Sequence, residues 1–261
     1  MAEPNNRYAP PTANVADPSP PPSDDVLIPY GRVAPPGDGA KWIGEAFSLF
    51  FKRPWMWLLL VLLLLVILSV ASAVPFVNLI STLLWPAIGA GIAYAADVQR
   101  RTGNFSISDA FRGFGPSLRQ LVVVGVVMIL SSVLMFVVMA IVMDTNTALA
   151  LLGIGTLDFQ VMTLQFWLAL LIGFAFALPI TAATYFAPPL ILMHGLSAVD
   201  AMKMSLTGAV KNILSGLVYG VLLMLLLLVS AIPIGLGLLI TLPVAMITFY
   251  TTYRGIFVES K

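Results

Sequence analysis

Residues 52–74 read KRPWMWLLLVLLLLVILSVASAV: two cations and a proline, then twenty residues without a charge. A helix rises about 1.5 Å per residue, so roughly twenty apolar residues cross the ~30 Å hydrocarbon layer of a bilayer. Trp55 to Val74 has that length. Its Leu, Ile and Val residues each favour insertion by about 0.3–0.6 kcal/mol near the membrane centre. The stretch reads as a transmembrane helix. Ala71 and Ala73 imitate a signal-peptidase site. The apolar run is longer than a signal core, however, and a long segment precedes it, so an uncleaved signal anchor is expected.

Comparable runs recur along the chain. They predict six spans at about 55–74, 76–96, 121–143, 166–193, 213–231 and 234–253. Pro75 and Pro233 fall between neighbouring spans, where a proline ends one helix and forces a tight turn. The expected fold is all-α: a polytopic membrane protein whose six transmembrane helices form three helical hairpins, each preceded by a short amphipathic cytoplasmic segment. The whole composition agrees. Of 261 residues 59% are hydrophobic and 10% charged, with a mean hydropathy of +0.99, whereas a soluble domain carries about 25% charge.

Orientation follows from the cations, which are retained on the cytoplasmic side of a membrane. Arg7, Arg32, Lys41, Lys52 and Arg53 precede the first span, and Arg100, Arg101, Arg112 and Arg119 separate the second from the third. Lys203 and Lys211 separate the fourth from the fifth, and Arg254 and Lys261 close the chain. The opposite side has only Asp144 and Asp158. Both termini are therefore expected in the cytoplasm. Residues 1–40 hold more than half of the nineteen prolines and read as a disordered cytoplasmic tail. Pro20-Pro21-Pro22 in that tail could be a polyproline ligand or simply solvated chain. The transmembrane domain is expected over 41–258, with 259–261 as a C-terminal tail.

An internal repeat is visible. Glu45-Ala46-Phe47, Asp109-Ala110-Phe111 and Asp200-Ala201-Met202 each open a cytoplasmic segment before an odd-numbered span. Ser106 and Ser197 stand three residues before the acids, as N-caps do. The second helix of each hairpin carries a proline and then a tyrosine: Pro86 with Tyr94, Pro179 with Tyr185, Pro243 with Tyr250. Ile43, Phe47, Phe50 and Phe51 form one apolar stripe, and Val199, Met202, Leu206 and Val210 another, suited to the lipid headgroup layer or to the bundle.

Chemistry is sparse. The absence of cysteine excludes thiol nucleophiles and thiolate metal sites, and a net charge of +1 without a basic cluster argues against nucleic-acid binding. Asp97 and the single histidine, His194, fall at the cytoplasmic span ends, where hydrogen bonding is the ordinary role. No phosphate-loop or dinucleotide fingerprint is present. Pro86, Pro179, Pro243 and above all the pair Pro188-Pro189 would kink their helices or leave broken backbone beside a cavity.

The strings Tyr185-Phe186-Ala187-Pro188-Pro189-Leu190, His194-Gly195, Asp200-Ala201-Met202-Lys203-Met204-Ser205, Lys211-Asn212 and Tyr253-Arg254-Gly255-Ile256-Phe257 resemble the BPSS1780-type bacterial membrane proteins. Trp42, Phe47, Phe50 and Arg53-Pro54 fit the same pattern. The resemblance implies a multi-pass protein of the bacterial inner membrane and transfers no active-site residue. The expected function is accordingly non-enzymatic and without a cofactor, acting through membrane lipids or a protein partner of the tail or amphipathic segments. The alternative is a transporter or channel for a neutral or apolar solute.

Overall fold

The computed structural model describes residues 25–72, 77–142, 149 and 164–259. Among these it is helical apart from one antiparallel pair, β1 (Val26–Leu27) with β2 (Val258–Glu259). The helices are α1 (Asp38–Lys52), α2 (Pro54–Ser72), α3 (Val77–Thr102), a 3-10 segment (Ile107–Phe114) and α4 (Leu118–Val142). They continue with α5 (Leu164–Tyr185), α6 (Ala187–His194), α7 (Ala198–Lys211), α8 (Ile213–Ala231) and α9 (Leu238–Phe257).

Among the described residues four stretches are long and apolar enough to cross a membrane: Pro54–Ala71, Leu118–Val142, Phe166–His194 and Ile213–Ala231, with mean hydropathies of 2.6, 3.0, 2.1 and 2.5. The remaining two expected spans correspond to α3 and α9, of 26 and 20 residues. Both are more polar, for a physical reason. Most of α9 from Thr248 to Phe257 is buried, including Thr251, Thr252 and Tyr253, and α3 buries Asp97 and Gln99. A helix enclosed by protein needs no continuous apolar surface, so its composition drifts toward polar and small residues.

The described charged residues gather at one end of the bundle, and the core lies there too. It is built around Trp42, Phe50, Trp57, Ala90, Leu121, Leu190 and Ile247. Toward the apolar end, α4 and α5 share only a small satellite of Met139 and Ala169. At the charged end α1 lies along α9, the 3-10 segment along α3, and α7 along α5. The triplet alanines Ala46, Ala110 and Ala201 are all buried. Ser106 and Ser197 cap as their spacing predicts. Ser106 N–H donates to Asp109 Oδ2 at 2.8 Å, and Asp200 N–H donates to Ser197 Oγ at 3.2 Å.

The two apolar stripes take different places among those the sequence left open. In α7 the buried face is Ala198, Ala201, Met204, Ser205 and Gly208, while Val199, Leu206 and Val210 point outward. Small residues permit close helix approach, so most of the inner face is small. In α1 Trp42, Ala46, Leu49 and Phe50 are buried and Phe51 is exposed.

The tail is shorter than composition suggests. Residues 25–36 form a strap across the charged end, and α1 starts at Asp38. Hydrogen bonds hold this strap, which a hydropathy argument cannot foresee. The side chain of Asn212 acts like a neighbouring strand: Oδ1 accepts from Ala34 N–H at 2.7 Å and Nδ2 donates to the Arg32 carbonyl at 2.8 Å. Ser215 Oγ donates to the Ala34 carbonyl at 2.6 Å. Glu259, assigned to the C-terminal tail, pairs with Val26. Pro20 to Pro22, Pro75, Asp144 and Asp158 lie outside the described residues.

Three of the expected breakers do not break. Pro86, Pro179 and Pro243 sit inside α3, α5 and α9. Pro188-Pro189 does mark a break, at Phe186 between α5 and α6. Ser205 of α7 repairs it by insertion: Phe186 N–H donates to Ser205 Oγ at 2.9 Å, and that hydroxyl donates to the Ala182 carbonyl at 2.6 Å. The two backbone groups left apart by the bend are thus joined through one side chain.

Candidate functional site

At the charged end the polar residues converge on Asp97, in the last turns of α3. Its Oδ1 accepts from the Tyr250 hydroxyl at 2.8 Å and from Arg100 at 3.1 Å, and its Oδ2 accepts from Arg101 at 2.8 Å. Arg100 also donates to Tyr250 at 2.7 Å and pairs with Asp25 of the strap. Partial burial works against the Arg100 charge, but Tyr250, Asp97 and Asp25 outweigh it and raise the pKa further above its usual value. The cluster ties α3, α9 and the strap together and leaves the Asp97 carboxylate saturated with donors.

Beside it lies a cavity of about 210 Å³ between Asp25, His194, Tyr253 and Arg254. His194 Nε2 and the Tyr253 hydroxyl are 2.5 Å apart. Gly195, with a φ of +65°, closes α6 directly after the histidine in a left-handed cap. Asp200 serves the cap of α7 and is remote from this group. Among the described residues no three of His, Cys, Asp and Glu converge as a metal ion requires.

A second cavity, about 360 Å³, lies deep in the bundle between α2, α3, α4, α5, α6 and α9. Three sets of residues give it matching walls. They are Trp85, Ile88, Gly89 and Ile92 of α3, then Thr181, Thr184, Tyr185 and Pro188 of α5 and α6, then Leu242, Ala245, Met246 and Phe249 of α9. Each set has the spacing i, i+3, i+4, i+7, one face of a helix. Pro86 also lines the cavity, as do Leu64, Leu68 and Met128. The Thr184 hydroxyl is spent on the Ile180 carbonyl at 2.9 Å, so the wall is apolar.

The chain matches no family model, no curated protein and no solved structure. Its own geometry carries the functional argument.

The structure brings together some of the singled-out residues and separates others. Asp97, Tyr250, His194 and Arg254 meet at the charged end. Pro86, Tyr185 and Pro188 meet at the deep cavity. Pro179 is exposed, Pro189 and Pro243 are buried without lining either cavity, and Tyr94 is half-buried in the core. Sequence reasoning missed Gln99, which accepts from Trp57 Nε1 at 2.7 Å and donates to the Leu49 carbonyl at 2.8 Å. It also missed Asp25, Ser205 and Asn212. Ser205 and Asn212 belong to strings already noted as motifs, and a buried polar role was the available clue.

Proposed function

We propose that the chain is a six-span protein of the bacterial inner membrane, with both ends in the cytoplasm, that works through lipid or protein contacts rather than by catalysing a reaction. The observation that carries the reading is one-sided charge. The described acids and cations occupy α1, the 3-10 segment, α7 and the neighbouring helix ends, and the opposite ends of α2, α3, α4, α5, α8 and α9 have none. Cations on one side orient a membrane protein. The likeness to bacterial membrane proteins points to the same location.

Three repeated units are part of the proposal. The 3-10 segment docks on α3, α7 docks on α5, and α1 docks on α9. Each segment thus leans on the second long helix of the preceding unit, and the first leans on the last, closing a ring. The exposed Val199, Leu206 and Val210 give α7 an apolar seat on the lipid, beside Lys203 and Lys211. A lipid-contact role is favoured because Asp97 is saturated by Tyr250, Arg100 and Arg101, and His194 is held by Tyr253.

Reporter fusions test the topology. A periplasmic reporter placed between Pro233 and Gly235 is expected to be active, and the same reporter at either terminus silent. The reverse pattern overturns the orientation, and cytoplasmic signal from all three sites removes the six-span arrangement. A second reading, passage of a neutral or apolar solute, is favoured by Pro86 and Pro188 in the wall of the deep cavity. Proteoliposomes that move a defined solute only with this protein present would replace the first reading by the second.

A further inference from the structure

We propose that the deep cavity is a binding site for one acyl chain of a membrane phospholipid, drawn sideways from the bilayer. The proposal rests on the membrane reading above and adds an occupant and a place. The walls are apolar, and water enters such a space poorly because it finds too few polar partners there. What surrounds the bundle at this depth is hydrocarbon. The volume of about 360 Å³ suits on the order of a dozen methylene groups, taking about 30 Å³ each, similar to a liquid water. It is too narrow for a second copy's helix, whose diameter with side chains is about 10–12 Å.

The glycines of α3 separate space made for packing from space left open. At Gly91 a Cβ would overlap the Ala110 carbonyl, so glycine is required for the 3-10 segment to dock. Two residues earlier, at Gly89, a Cβ would meet only the Phe249 ring at 3.8 Å, an ordinary contact. Nothing packs into the gap that Gly89 leaves, and the missing side chain becomes part of the cavity. Trp85 and Thr181, both exposed, stand where the cavity reaches the bundle surface. A chain enters there and lies between Gly89, Met246 and Phe249. Because hydrocarbon has no hydrophobic preference for a protein wall over other lipid, retention comes from close van der Waals fit.

The test uses the full-length protein in nanodiscs of phosphatidylethanolamine and phosphatidylglycerol, with a small fraction of phospholipid carrying a diazirine at mid-chain. After irradiation, peptide mass spectrometry locates the adducts. Adducts on Met246, Phe249 or Ile88 are expected, together with adducts on the exposed face of α8, such as Leu225 and Leu228. Gly89→Leu is expected to abolish the first set and keep the second. Ala245→Leu, entering from α9, serves if Gly89→Leu does not accumulate, and an excess of unlabelled phosphatidylglycerol is expected to deplete the cavity adducts of the wild type. Wild-type adducts confined to outer faces, or cavity adducts undiminished in both variants, overturn the proposal. Loss of the α8 adducts as well would instead strike at the membrane reading.

Discussion

The charged half of the bundle and its apolar half are built on different principles. Near the charged end helices touch at backbone distance: Gly91 against Ala110, Gly113 against Ala87, Gly39 against Ser215. Several buried polar residues there are partnered across elements, as Gln99 is to Trp57 and Leu49, although Thr252 Oγ1 and Arg254 Nε have no hydrogen-bond partner among the described residues. Toward the other end α8 presents Val221, Leu225, Leu228 and Val229 outward, and α4 and α5 hold to each other through a few methionines and an alanine. In water that half would be a defect. In a bilayer the solvent is itself apolar, so exposed leucines cost little and association must come from close packing and hydrogen bonds. Both are concentrated at the charged end, which therefore holds the fold while the other half meets the lipid.

Substitutions can break or sharpen this contrast. The largest effect is expected at Asp97→Ala, which removes the carboxylate shared by Arg100, Arg101 and the buried Tyr250 hydroxyl. Breaking such a buried ion network costs about 3–5 kcal/mol, read as a lowered thermal midpoint in detergent. Gly125→Ala comes next, because its Cβ would overlap the Leu83 carbonyl. Overpacking costs about 1–3 kcal/mol, whereas Gly220→Ala on α8, with open space around it, is expected to leave the midpoint unchanged. Ser205→Ala leaves the Phe186 amide and the Ala182 carbonyl without their bridge, at about 1–3 kcal/mol. Backbone amide exchange at Phe186 should rise in that variant while the helix ends of α8 stay as they are. The smallest effect, within about 0.5 kcal/mol, is expected for Leu228→Ala on the lipid side. A loss there as large as at Asp97 would erase the distinction between the halves.

Long apolar runs such as Pro54–Ala71 and Ile213–Ala231 were legible because length and hydropathy alone decide them. The serine caps were legible because capping is local. What stayed hidden depended on distant partners. Nothing near Asn212 announces that its amide will meet Arg32 and Ala34, some 180 residues away in sequence. The sequence left open whether the Val199 and Leu206 stripe of α7 meets lipid or bundle, because hydropathy ranks those residues above Ala201 and Gly208 while close approach favours the small ones. The deep cavity was only hinted at by its prolines. Its walls come from three separate faces whose common target no single stretch reveals.

The strap is gripped mainly by its main chain: Ile28 and Arg32 amides on the end of α9, the Arg32 carbonyl and both polar groups of Ala34 on Asn212 and Ser215, the Tyr30 carbonyl on Lys211. Such a clasp reads shape rather than residue identity. What may be threaded through it is restricted at Leu27, which packs on the core, at Tyr30 and Gly31, whose φ angles are positive, at Arg32, whose side chain donates to the Gly255 carbonyl, and at the buried Ala34. Different peptides could therefore be spliced into the remaining positions of 26–36 without loosening the clasp, provided those five sites are kept.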